Sequence, residues 1–128
     1  MIFEMTENGF VTSTSFGKLE VSSDEAYGFR PYQLLVSSIA VCSGGVLRKI
    51  LDKKRMPAKH ISIEVREVKR NPEIADRVEK IHLHFLIDGI QAKETVMDKV
   101  MELTSNNCSM VQSVAGSIEI VKTYELQN

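Results

Sequence analysis

The chain has 128 residues, which suits one domain, taken here as 1–128. With 43% apolar and 26% charged residues it has the composition of a folded globular protein, which excludes intrinsic disorder. A formal net charge of −1 gives it no bulk electrostatic pull toward nucleic acid or anionic lipid, and little repulsion between copies.

The N-terminus, MIFEMTENG, carries an acid at position 4 and no basic stretch, which speaks against a secretory signal peptide. The longest uncharged stretch, Pro31 to Leu47, is 17 residues and holds three serines and two glycines. It is too short and too polar to read as a membrane span. Two cysteines do not make a disulfide scaffold, so a cytoplasmic location is the expectation.

The first 22 residues read as a three-strand meander. Ile2, Phe3 and Met5 mark one strand, Phe10 to Thr14 a second, and Lys18 to Ser22 a third. Asn8-Gly9 and Ser15-Phe16-Gly17 supply the turns. After a polar loop, Pro31 starts a helix predicted to run to about Lys54. Leu35, Ile39, Cys42, Val46 and Ile50 fall on one stripe of it. Its first four turns carry no charge on any side, so they need cover on most sides. One sheet covers one side, and a second copy of the chain is the expected cover for the other. The adjacent Gly44 and Gly45 call for tight packing or a bend, since glycine costs a helix about 1 kcal/mol against alanine.

His60 to Arg70 reads as a strand, with Ile61, Ile63 and Val65 on one face. Asn71-Pro72-Glu73 turns into the clearest strand, Val78 to Asp88, where Ile81, Leu83, Phe85 and Ile87 alternate with Lys80, His82, His84 and Leu86. A second helix is predicted over Gln91 to Asn106, with Ala92, Val96, Val100 and Leu103 on its apolar stripe and Met97 and Met101 alongside. A short helix, Ser109 to Ala115, follows Cys108, and Ile118, Ile120, Tyr124 and Leu126 mark a last strand. The order βββ-α-ββ-α-α-β with short turns implies an α+β fold with mainly antiparallel sheets.

Cys42 and Cys108 are 66 positions apart. As free cysteines they fit two readings: small buried hydrophobes, or a redox pair in which one thiolate becomes a sulfenic acid and the other resolves it. Cys108 sits near a helix N-terminus, which favours a thiolate, whereas Cys42 needs a cation from elsewhere. His82 and His84 share a strand face but lack nearby ligands to complete a metal site, so a solvated face is the expectation, with no metal. The basic cluster Lys53, Lys54, Arg55, Lys59 and His60 reads as a solvated helix end.

Gly28-Phe29-Arg30-Pro31-Tyr32-Gln33-Leu34-Leu35, running through Ser38-Ile39-Ala40-Val41-Cys42, resembles the signature of the OsmC/Ohr family. That family carries a G-x-x-P-x-x-L-L run and then a small-residue helix ending in cysteine. Asn107-Cys108-Ser109-Met110-Val111-Gln112-Ser113-Val114 resembles its second cysteine motif. The resemblance implies an OsmC-like intertwined homodimer, with mainly antiparallel sheets wrapped around long central helices. It also implies a thiol-dependent peroxidase of the oxidative stress response that reduces organic hydroperoxides with no cofactor. Cys42 would be the peroxidatic residue and Cys108 the resolving one, both at the dimer interface, with a dithiol as reductant. Phe29, Leu34, Leu35 and Val46 would line an apolar substrate pocket.

Three positions depart from the family pattern. Tyr32 stands where the family has glutamate, Ser109 stands where it has proline, and no arginine precedes Arg30, the only earlier cation being Lys18. At 1.5 Å of helix rise per residue, Arg30 of the same chain lies too far from Cys42. The expectation is that the partner's Arg30, or Lys18, takes the arginine's place beside the thiolate. The alternative is a small-molecule binding protein of the same fold, with Cys42 as a lining residue and weak or no peroxidase activity.

Overall fold

The computed structural model describes residues 1–127. Two compact units make up the chain, residues 1–37 and residues 38–128.

The first unit is the expected meander. Strands β1 (Glu4–Met5), β2 (Phe10–Ser13) and β3 (Lys18–Val21) form an antiparallel sheet in that order. The Thr6 N–H donates to the Gly9 carbonyl (2.8 Å) and the Thr14 N–H to the Gly17 carbonyl (2.8 Å), closing the two predicted turns. Position 9 requires glycine, because a Cβ there would collide with the Val21 carbonyl oxygen. The segment after β3 is less open than a polar loop. Phe29 bridges back to Val21, and its N–H donates to the Glu20 carbonyl at 2.9 Å. Gly28 allows this approach, since a Cβ there would lie 2.7 Å from the Glu20 carbonyl oxygen.

Helix α1 spans Pro31–Lys53, 23 residues, close to the predicted bounds. It ends where Arg55 takes a left-handed φ of 59° and the Met56 N–H bonds to the Leu51 carbonyl at 2.9 Å. Pro57 then prevents continuation. By length and composition α1 is apolar enough to cross a membrane, which the uncharged 17-residue stretch alone did not suggest.

The second unit holds strands β4 (His60–Asn71) and β5 (Arg77–Asp88), helices α2 (Glu94–Asn107) and α3 (Ser109–Val114), and strand β6 (Glu119–Gln127). β4 and β5 pair antiparallel, with an irregularity between Val65 and Glu67 that breaks the alternation and leaves Val65 43% exposed. β6 pairs with β5 in parallel. The reason is the connection: α2 and α3 carry the chain back along the sheet, and a helical crossover delivers a parallel neighbour where a tight turn delivers an antiparallel one. The sheets are otherwise antiparallel.

The core of this unit follows the β5 alternation. Ile81, Leu83, Phe85 and Ile87 are fully buried, together with Ile39, Leu47 and Leu51 of α1 and Met97 and Val100 of α2. On α1 the buried stripe is rotated by about one residue from the predicted one: Ile39, Ser43, Leu47 and Leu51 are fully enclosed, while Cys42, Val46 and Ile50 are half-buried. Gly44 explains the rotation, because a Cβ there would lie 2.7 Å from Ile63 Cδ1 of β4. Gly45 has open space around it, so only one of the glycine pair serves packing within the chain. On α2 the buried residues are Met97, Val100, Met101 and Thr104, not Ala92, Val96 and Leu103. The helix starts three residues later than predicted, at Glu94, and Val96 is exposed.

Candidate active site

Both cysteines belong to the second unit, and the fold brings them together. Cys42 lies mid-way along α1 and is half-buried. Cys108 lies at the junction where α2 ends and α3 begins, and it is fully buried. The two helix segments cross-bond through neighbouring hydroxyls. The Cys42 Sγ is 3.6 Å from Ser109 Oγ, and Ser43 Oγ is 3.5 Å from Cys108 Sγ. Residues 42 and 43 thus meet residues 109 and 108 in a reciprocal pair of contacts.

The Cys42 thiol is lowered from 9.0 to about 7. The largest cause is the backbone N–H of Met110, followed by the Cys108 thiol, which donates to the Cys42 sulfur. Burial opposes them, and the hydroxyl and N–H of Ser109 lower the value further. These donors favour the thiolate by hydrogen-bonding the charged form. They are available because the first N–H groups of a helix have no intrahelical acceptor. Ser109 matters here: proline at that position would offer neither an N–H nor a hydroxyl.

Lys122 is the residue the sequence reading missed. It lies on β6, opposite Leu83 of β5, and its Nζ is enclosed without a hydrogen-bond partner among the described residues. Burial pushes its pKa down, while the charges of Cys108 and then Cys42 push it up. A signal for it was present in the sequence. Ile118, Ile120, Tyr124 and Leu126 alternate as an apolar face, and Lys122 is the one charged residue in that series.

The other expected residues fall as follows. Lys18 opens β3 and is exposed. Arg30 immediately precedes α1, with its guanidinium 4.9 Å from the centre of the Tyr32 ring, a cation–π arrangement. Leu34 lines an apolar cleft of about 550 Å³ within the first unit, alongside Phe3, Phe10, Leu19, Val21 and Pro31. Phe29 lines a different, more polar cleft with Lys18, Glu20 and Glu25. Leu35 and Val46 are half-buried on α1.

The histidine face is not simply solvated as expected. His84 is only 6% exposed. The Thr123 hydroxyl lies 2.6 Å from His84 Nδ1 and 2.8 Å from His82 Nε2. A hydroxyl has one proton, so at most one of the two ring nitrogens accepts from it and at least one donates to it. No group of three or more metal-ligating side chains stands together among the described residues.

This geometry defines a candidate dithiol site: a half-buried cysteine in the middle of α1 against the first residues of α3, with a second, buried cysteine at the residue before α3. The family described as OsmC-like protein matches residues 22–122, and the chain belongs to that family. Its fold is also that of solved OsmC-like structures. A hypothetical protein from Aquifex aeolicus superposes with a TM-score of 0.84 at 26% identity, covering 98% of this chain and 93% of that one. An OsmC-like protein from Mycoplasma pneumoniae gives 0.80 at 16% identity over 99% and 95%. A Legionella pneumophila protein named as an organic hydroperoxide resistance protein, OsmC, gives 0.69 at 16% identity over 97% and 95%. No curated protein matches the sequence.

Proposed function

We propose that the protein is a thiol-dependent peroxidase that reduces organic hydroperoxides, with Cys42 as the peroxidatic and Cys108 as the resolving cysteine. The observation that carries this reading is the reciprocal contact of the two cysteine segments, Cys42 Sγ with Ser109 Oγ at 3.6 Å and Ser43 Oγ with Cys108 Sγ at 3.5 Å, and the donors there lower the Cys42 thiol to about 7. A nucleophile whose pKa is near the ambient pH combines a substantial thiolate fraction with good intrinsic reactivity. The likeness to proteins named for organic hydroperoxide resistance agrees with it.

The chemistry runs in three balanced steps. The Cys42 thiolate attacks the terminal oxygen of the hydroperoxide. The O–O bond breaks, an alkoxide leaves and takes a proton to become the alcohol, and Cys42 becomes a sulfenic acid. The Cys108 thiolate then attacks the Cys42 sulfur and displaces hydroxide, which is protonated to water, leaving a disulfide. An external dithiol reduces that disulfide, gives its two hydrogens to the cysteines and leaves oxidised. No cofactor enters the scheme. The scheme requires a reducing compartment, in keeping with a cytoplasmic location.

In this reading the working form is a homodimer. Val41, one position from Cys42, is 70% exposed in the single chain although it sits mid-helix in an uncharged stretch. A second copy covers such a face by its own apolar surface.

The test is the intact mass of reduced protein after one equivalent of an organic hydroperoxide, with peptide mapping. Loss of two hydrogens and a Cys42–Cys108 peptide, absent from Cys42→Ser, is the expected result. Two free thiols after prolonged exposure would reject the peroxidase. That result would leave the reading of a small-molecule binding protein of the same fold.

A further inference from the structure

Lys122 occupies a position that the sheet reserves for apolar side chains. The β5–β6 register pairs Ile120 with Ile81, Lys122 with Leu83 and Tyr124 with Phe85. Paired residues on adjacent strands project to the same face, and Ile81, Leu83 and Phe85 are all fully buried. An ammonium drawn out of water in such a place is costly unless a charge or an acceptor meets it.

No carboxylate does so. Among the described residues, the ion pairs of this sheet join Arg66 to Glu64, Arg77 to Glu79, Lys80 to Glu67 and His84 to Glu125, so Glu79, on the parity of Leu83, is already held by Arg77 at 2.8 Å. Lys80, His84 and Glu125 alternate with Leu83, Lys122 and Tyr124 along β5 and β6, so they belong to the opposite face. The enclosed Lys122 Nζ has no hydrogen-bond partner, and the negative charges that act on it are those of Cys108 and Cys42. The titratable groups whose charges act on it are Cys108, at the α2–α3 junction, and Cys42 of α1, and Tyr124 shares its face of the strand. The charges of Asp98 and Glu94 reach Tyr124 instead. From β5 it meets only apolar side chains.

We propose that the Lys122 ammonium is the internal counter-ion of the Cys42–Cys108 dithiol and holds negative charge on Cys108 while that sulfur closes the disulfide. Its chemical role rests on the peroxidase reading above; its electrostatic role does not. Cys108 is fully buried, so a thiolate formed there loses its hydration, and a buried cation is what makes that charge tolerable. In the step concerned, Cys108 loses its proton to solvent and attacks the sulfur of the Cys42 sulfenic acid. The S–S bond forms, the S–O bond breaks, and the departing hydroxide is protonated to water. Lys122 remains an ammonium throughout.

Two measurements test this independently. The first is the titration of the Lys122 side chain by carbon-detected NMR in reduced protein and in Cys42→Ser/Cys108→Ser. The midpoint is expected to fall when both sulfurs are removed, because the thiolates no longer favour the charged lysine. An unchanged midpoint would overturn the proposal, whether or not the protein reduces peroxides. The second is stopped-flow oxidation by an organic hydroperoxide with dimedone trapping. In Lys122→Met, disulfide closure is expected to slow about tenfold or more, so that trapped Cys42 sulfenic acid accumulates, while Lys122→Arg closes within about threefold of the parent. Equal closure in Lys122→Met would overturn the proposal. Should that variant not fold, Lys122→Gln takes its place, and the NMR arm still decides. A parent protein that forms no sulfenic acid would reject the peroxidase reading alone.

Discussion

At Cys42 the charge of the thiolate is spread over several donors. The Met110 N–H leads, the Cys108 thiol follows, and Ser109 adds both a hydroxyl and an N–H. The rate of alkylation of Cys42 by iodoacetamide is therefore expected to follow a midpoint of about 7. Replacing Ser109 by proline removes two donors at a position where a helix tolerates proline. Ser109→Pro should move that midpoint upward and slow alkylation at neutral pH by about tenfold. An unmoved midpoint would mean that Ser109 contributes nothing to the thiolate. The same shift links to stability. Between about 7 and 9.0 the native Cys42 is ionised while the unfolded one still holds its proton. Stability should therefore rise with pH through this window, relative to Cys42→Ser, and the gain should vanish as the pH falls below 7. Urea midpoints of the reduced proteins at the two ends of the window measure it.

At the scale of elements, α1 contains one residue that breaks its own pattern for a visible reason. Gly44 breaks helix propensity so that Ile63 of β4 can pack against the helix backbone. Because the atom met is the methyl end of Ile63, Gly44→Ala should be better tolerated in Ile63→Val than in the parent. A coupling of about 1 kcal/mol is expected from the double-mutant cycle. Zero coupling would mean that the two residues do not share the space. On the other face of the sheet, Thr123 serves His82 and His84 with a single hydroxyl. Thr123→Val keeps the shape but leaves the buried His84 without that partner, so a loss of about 1–3 kcal/mol in urea unfolding is expected. Most element bounds were readable because the alternation of β5 and the uncharged run of α1 are strong signals. The faces of α1 and α2 were read about one residue off. Helical periodicity fixes a stripe only to within its width, and the Gly44–Ile63 contact that settles the rotation on α1 is long-range.

At the scale of the whole molecule, the proposed dimer is argued from α1. An uncharged helical segment with Val41 70% exposed needs cover. Val41→Glu should shift the protein from dimer to monomer in sedimentation velocity. A parent protein that sediments as a monomer at all concentrations would reject the dimer. The expectation that Lys18 or the partner's Arg30 replaces the missing arginine belongs to the same assembly. Within the second unit the charge of Cys42 acts on another cation, Lys122, which sequence spacing could not connect to it because the two lie 80 positions apart on α1 and β6.

The sequence by itself determined the order of elements, the α+β class, the family and the two candidate cysteines. Those properties are written in local periodicity, turn residues and short motifs, each of which acts over a few positions. Only the tertiary structure decided the chemistry around the sulfurs: which N–H groups reach Cys42, that Ser43 and Ser109 bond across to the opposite cysteine, and that Lys122 is buried without a carboxylate. Hydrogen bonds and desolvation depend on atoms from residues far apart in the chain, such as 42 and 109 or 43 and 108, and no local pattern encodes which distant donors will meet.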